Sequence, residues 1–333
     1  MRFPHLDGRA CKLADALDLP ANLAEWLAVS ALHSGCFLRS QLQCFDGYSE
    51  QDRKSVLRII RRLTDKQLIT ETPYESLGLL ARVTNKAVYR LIGADNIRHR
   101  RTASLPLTLR RLLCLDYVLD HPQLPWLPTE QEKVACFDRL GINQKNLPRR
   151  VWDNATGYTV RLFANKHPIA VDPHGKQAWF VYADSEEKSP QGVRSWRDEH
   201  TALWADLCRL GFRLNIVHAS FNLKLEESVS RVFTSWQHQP HSTVRREEIE
   251  AELARVQQAI GSNDKAALKV YGGFNGALRA LGALKDRLAE HSNLAAFSAS
   301  YSTWISERIA QRYDNPNSLG SHSQKHRTTK GSP

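Results

Sequence analysis

Hydrophobic positions along the first hundred residues fall into three short helical stretches followed by a β-prone ribbon. Leu23, Trp26, Leu27 and Ala31 recur at helical spacing over residues 23–32, and His33-Ser34-Gly35 supplies a glycine stop. A second short helix fits residues 38–45 and closes at Asp46-Gly47-Tyr48. Ser49, with Asp52 three positions on, opens a third helix that runs to about Lys66. Leu68-Ile69-Thr70-Glu71, a turn at Thr72-Pro73 and a β-prone stretch over residues 87–92 complete the unit. The first 20 residues read as a loose lead-in. Three helices and a two-stranded ribbon are the order of a winged helix-turn-helix.

The third helix separates its residue types by face. At 100° per residue, Val56, Ile60 and Leu63 cluster on one side, and Lys54, Arg58, Arg61 and Arg62 cluster nearly opposite. One stripe would hold the helix to its own core while the other meets phosphates and guanine edges. A solvated surface stripe is the alternative reading. A second basic run, Arg98, His99, Arg100 and Arg101, with Arg110 and Arg111 beyond it, would extend the phosphate contacts or form a solvated helix start.

Residues 105–119 form a strongly apolar helix, and three prolines at 122, 125 and 128 mark a boundary or hinge over 121–128. Thr129 and Glu132 form a capping box that opens a helix to about Leu140. From Tyr158 the pattern turns to strands: residues 159–164, 168–172 and 178–183, the last apolar on both faces. A helix over 194–210 places Trp196, Leu203, Trp204 and Leu207 on an inner stripe. A strand over 212–218 and a helix over 225–236 follow. Residues 243–312 read as helical, broken at Gly272-Gly273.

This gives an α+β and α/β multidomain chain. Residues 1–120 are expected to be a winged-helix DNA-binding domain, and 121–240 a restriction-endonuclease-like α/β domain, intact or degenerate. Residues 241–313 are expected to be a helical region and 314–333 a disordered tail carrying Lys325, Arg327 and Lys330.

Charge adds to this picture. Across 333 residues, Lys+Arg 46 against Asp+Glu 35 leaves +11, a balance that favours polyanionic partners. No apolar run approaches the ~20 residues of a membrane span, and the N-terminus has no apolar leader segment. The expected setting is cytoplasmic, with double-stranded DNA as partner, self-association or other element-encoded proteins besides, and no membrane. The cysteines (11, 36, 44, 114, 136 and 208) form no Cys-x-x-Cys pair and read as reduced, buried small hydrophobes. There is no Gly-x-x-x-x-Gly-Lys-Ser/Thr, Gly-x-Ser-x-Gly or His-Glu-x-x-His, and Gly272–Gly276 reads as a helix break.

Candidate chemistry lies in the strand region. Asp172, then Asp184 after eleven residues, then Glu186 and Lys188, match in letters the acid…acid-x-acid or acid-x-Lys sets by which restriction-endonuclease-like folds hold a divalent ion. Asp172, Asp184 and Glu186 would be the metal ligands, and all-oxygen ligation suits Mg²⁺ or Mn²⁺. His167, His174 and His200 are possible assistants, with surface positions near turns as their ordinary reading.

Leu57-x-x-x-x-Arg62-Leu63 with Leu68-Ile69, Val88-Tyr89-Arg90-Leu91, Phe180-Val181-Tyr182-Ala183-Asp184 and Trp204…Gly211-x-x-x-x-Ile216-Val217 carry a resemblance across residues 23–236. The arrangement resembles the replication-relaxation family of plasmid and conjugative-element proteins, and related relaxases that pair a winged helix with an endonuclease-like domain. The resemblance implies a DNA-binding protein of a mobile genetic element. It also implies a Pro-Asp at the first catalytic strand and an acid in the next. At the equivalent positions here, Pro168-Ile169 and Val181-Tyr182-Ala183, Ile169 and Tyr182 would replace the metal ligands. If Asp172 and Asp184 serve instead, the chain is a metal-dependent endonuclease or nicking relaxase. A non-catalytic interaction scaffold built on the helical C-terminal third is the third reading.

Overall fold

The computed structural model describes residues 3–46, 53–74, 77–154, 157–185, 190–222, 224–238, 243–292 and 299–313, and shows mixed α/β structure. Residues 3–17 are packed, which corrects the expected loose lead-in over the described part of that segment. Phe3 and Leu6 are buried ahead of α1 (Asp7–Leu17), and the Phe3 ring stacks on Phe45 at 6.1 Å. These apolar side chains cover α2 (Ala21–His33), whose residues from Leu23 to the C-terminal turn are nearly all buried. Gly35, at φ +76°, turns the chain into β1 (Cys36–Leu38), a turn that lets the backbone pass against His99.

α3 (Arg39–Asp46), α4 (Arg53–Asp65), β2 (Ile69–Tyr74) and β3 (Gly78–Val83) follow, and the strands form an antiparallel sheet in the order β1-β3-β2. The ribbon is therefore present but one segment earlier than expected. β2 pairs with β3 from Ile69↔Val83 to Tyr74↔Gly78. Pro73, read as a turn, lies within β2, where an edge strand tolerates its missing N–H. Residues 87–92, expected as the second ribbon strand, instead fall largely in α5 (Lys86–Leu91). Val, Tyr and Ile favour strands, but Asn85 caps the helix by accepting from Ala87 N at 2.8 Å, and Val88, Tyr89 and Ile92 bury one helical face. The expected N-cap at Ser49 and its partner Asp52 lie outside the described residues.

α6 (Leu105–Asp120) is the spine of the molecule. It packs on α2, α3 and β1 on one side and on strands of the large sheet on the other. The proline segment after it is ordered: Trp126 is buried and bridges Ala170, and Leu127 N donates to Ile169 O at 2.9 Å. α7 (Glu130–Arg139) starts at the expected capping box, Thr129 Oγ1 accepting from Glu132 N and the Glu132 carboxylate from Thr129 N.

A separate hairpin, β4 (Arg149–Asn154) with β5 (Gly157–Leu162), precedes the large sheet. That sheet comprises β6 (Ile169–Asp172), β7 (Gln177–Ala183), β8 (Arg213–Ser220) and β9 (Ala299–Ile305), in that order. β6 is antiparallel to β7, and β7, β8 and β9 run parallel. The period-2 alternation of each strand sorts its side chains by layer. Phe180, Leu214 and Ile216 join Trp196, Leu203 and Trp204 of α8 (Gln191–Arg209). Val181, Val217 and Ala219 face the other way, into the core that includes Leu115 and Val118 of α6. The sheet is thus covered on both faces by helices.

Beyond α9 (Glu226–His238), α10 (Thr243–Gly261), α11 (Lys265–Val270) and α12 (Phe274–Ser292) share a small core of their own, including Ile249, Val256, Leu268 and Ala277. The expectation of helix throughout 243–312 is corrected at β9, which leads into α13 (Glu307–Tyr313). Among the cysteines, Cys36, Cys114 and Cys136 are buried as expected, whereas Cys11 is exposed. Among the described residues no helix is long and apolar enough to cross a membrane.

Candidate nucleic-acid interface

α4 presents the two faces expected of it. Val56, Ile60 and Leu63 are buried in the core that holds α2, while Lys54, Arg58, Arg61 and Arg62 are all exposed. Their ammonium and guanidinium groups have no ion pair among the described residues. Asp65, absent from the expected stripe, lies about 20° from Lys54 on the helical wheel and closes the cationic face with one acid. Arg39, at the start of α3, forks onto Glu71 of β2 at 2.9 and 2.7 Å, so the acid on the ribbon beside this surface is already neutralised. Arg82 of β3 lies over the Tyr74 ring at 5.3 Å, tying the two ribbon strands together.

The second basic run divides. His99 points inward, its Nδ1 3.2 Å from Ala31 O, and burial holds its pKa well below the usual imidazole value. Arg100 and Arg101 are exposed, while the side chain of Arg98 lies outside the described residues. Arg111 turns back to donate to His99 O at 3.0 Å and Arg101 O at 3.2 Å, so it braces this run rather than extending its exposed surface.

The acids are not assembled as their spacing allowed. Asp172 pairs with Gln177 at the turn end of the β6–β7 hairpin, where its Oδ1 accepts from His174 N at 3.0 Å. Asp184 stands just past the opposite end of β7, its backbone N donating to Ala219 O at 2.8 Å. Seven residues of extended chain separate the two ends, on the order of 20 Å, against roughly 2–2.5 Å for an ion and its oxygen ligand. One ion cannot take both, which corrects the expected metal set. Glu186 and Lys188 lie outside the described residues. No cluster of three metal-ligating side chains occurs among the described residues.

The histidines separate too. His174 is exposed on its turn. His167 and His200 are buried, which overturns their surface reading. His167 Nδ1 accepts from Ala183 N at 3.2 Å, and His200 Nδ1 meets Trp196 O at 2.7 Å. Burial lowers both, His200 to about 3. The positions that the family resemblance equates with metal ligands are apolar or aromatic. Ile169 is buried opposite Phe180, and Tyr182 packs between His167 and Trp196.

Sequence reasoning misses a pair at the carboxyl end of the parallel strands. His218 Nε2 lies 3.2 Å from Asp184 Oδ2, both side chains buried, and the Tyr182 ring stacks parallel to the imidazole. His218 closes the strand read over 212–218, and the parallel register Tyr182↔His218 brings it to Asp184. No family model, curated protein or solved structure matches the chain.

Proposed function

We propose that this chain is a DNA-binding protein of a mobile genetic element that docks on duplex DNA through α4, with β2 and β3 as the wing of a winged helix-turn-helix. The observation that carries the reading is the exposed stripe of Lys54, Arg58, Arg61 and Arg62 on a helix whose other face is locked into the core. A helix held this way enters the major groove without unfolding anything, and its cations release counterions from the phosphates. The order α2, β1, α3, α4, β2, β3 supports a winged module, and the mixed sheet flanked by α6 and α8 supports an endonuclease-like second part. In that part the positions that the family resemblance equates with metal ligands hold Ile169 and Tyr182, which supports a role in contact or assembly rather than strand cleavage. The setting is the cytoplasm.

Fluorescence anisotropy with a labelled duplex tests this. Wild-type protein binds in low salt, and R58A/R61A loses at least tenfold in affinity. Equal affinity of the two proteins would remove α4 from the interface.

A further inference from the structure

Between α6, α7 and the β4–β5 hairpin lies an open cavity of about 670 Å³, within the size range of small-ligand sites. It is far from neutral. Five cations line it, Arg110, Arg111, Lys133, Arg161 and Lys166, against one carboxylate, Glu130. That carboxylate is already engaged, accepting from Leu162 N at 3.0 Å and lying 3.5 Å from Arg161.

Lys133 is the unusual member. It is 3% exposed, its Nζ donates to His167 O at 2.8 Å, and it has no carboxylate partner among the described residues. Glu132 and Glu130 favour its charge only from beyond ion-pair distance, so the buried ammonium lacks a contacting counter-charge, which an anion entering the cavity would supply. Burial lowers its pKa to about 8, so the group still carries most of its charge at neutral pH. The nearby His33 and His99 are held neutral by burial and add polar ring nitrogens without further charge.

The hairpin supplies the other half of a recognition surface. Among the described residues β4 and β5 pair with each other alone, and Trp152 is exposed on them at 44%. Trp152 is directly opposite Thr159, and both line the cavity with Arg161. An exposed indole at the mouth of a cationic pocket offers a stacking face for a base and charge for its phosphate.

We propose that this cavity binds a nucleotide, its base stacked on Trp152 and its phosphate held by Arg110 and Lys133. The site is independent of α4. Its ligand is either a free nucleotide or one nucleotide unit of a single strand, which share this chemistry.

Two probes separate these sources: Mant-dATP, competed with unlabelled dATP, and fluorescein-labelled oligo(dT). Binding of Mant-dATP assigns a free nucleotide, and binding of oligo(dT) alone assigns a strand. In either case W152A, which alters only a surface side chain, weakens binding about tenfold, and K133M weakens it further. Neither probe binding, or W152A and K133M binding like wild type, would overturn the proposal. Duplex affinity measured on W152A, and nucleotide affinity measured on R58A/R61A, keep this result apart from that of the α4 interface.

Discussion

Arg308 Nη1 lies 3.0 Å from Asp116 Oδ1, joining α13 to the C-terminal half of α6 across nearly 200 residues of sequence. Asp116 is fully buried, and Ser306 Oγ and Gln41 Nε2 donate to the same carboxylate, so three separate segments meet on one charge. Arg308 also reaches Asp120 at 2.6 Å. Removing the guanidinium leaves a buried carboxylate with only neutral donors. Arg308→Ala is expected to cost about 3 kcal/mol, read as a lower urea midpoint at unchanged slope. A shift under 0.5 kcal/mol would mean that water replaces the arginine.

The exposed α4 cations make a prediction in salt rather than in affinity alone. Each phosphate left without its arginine should lower the slope of log K against log salt by about 0.9. R58A/R61A should therefore bind duplex DNA with a slope shallower by nearly 2. A parallel line displaced to weaker binding would show that these arginines act through fold, not phosphate.

Gly35 is fixed by two constraints at once. Its φ is +76°, and a Cβ there would come within 2.4 Å of His99 Cβ and 2.7 Å of His99 O. Gly35→Ala must both strain the backbone and displace the loop that carries Arg100 and Arg101. We expect a loss of about 2–4 kcal/mol in thermal or urea unfolding, with near-native stability as the contrary result.

Four of the buried histidines work against stability in acid. His33, His99, His167 and His200 all have folded pKa values pushed down by burial, below the unfolded value near 6.5. As pH falls through 6.5 the unfolded chain takes up protons that the folded chain refuses, so stability falls with acid from that point. Urea midpoints measured from pH 7.5 to 5 should decline, and His200→Phe should reduce the slope. A flat profile would place those imidazoles in contact with water.

The separation of Asp172 from Asp184 bears on cleavage. Supercoiled plasmid incubated with the protein and Mg²⁺ or Mn²⁺ should be retarded but not nicked. Nicking that EDTA stops and Asp184→Ala abolishes would reverse this, and would direct attention to the Asp184–His218 end of the sheet.

What is legible in the sequence is local. The cationic stripe of α4 needs only the 100° rule, and Thr129 with Glu132 carries its own cap. Residues 87–92 mislead because their β-branched and aromatic side chains hide the Asn85 cap and the buried face of α5. The acids mislead because spacing along a hairpin does not say which end each residue occupies. Lys133 sits in Glu-Gln-Glu-Lys-Val, a string that reads as solvated helix, and nothing in it announces burial. β9, with alternating Ser300-Tyr301-Ser302-Thr303-Trp304-Ile305, does carry a strand pattern, which the helical reading of its surroundings obscures.

That last strand also orders events during synthesis. β8 is made about 80 residues before β9, so at about 5–20 residues per second its outer edge stays unpaired for several seconds on the ribosome. Over that interval the nascent chain presents an open parallel edge, the kind of template on which other chains add strands. Fusions that pause translation within α10 to α12 should therefore aggregate more than those that pause after α13.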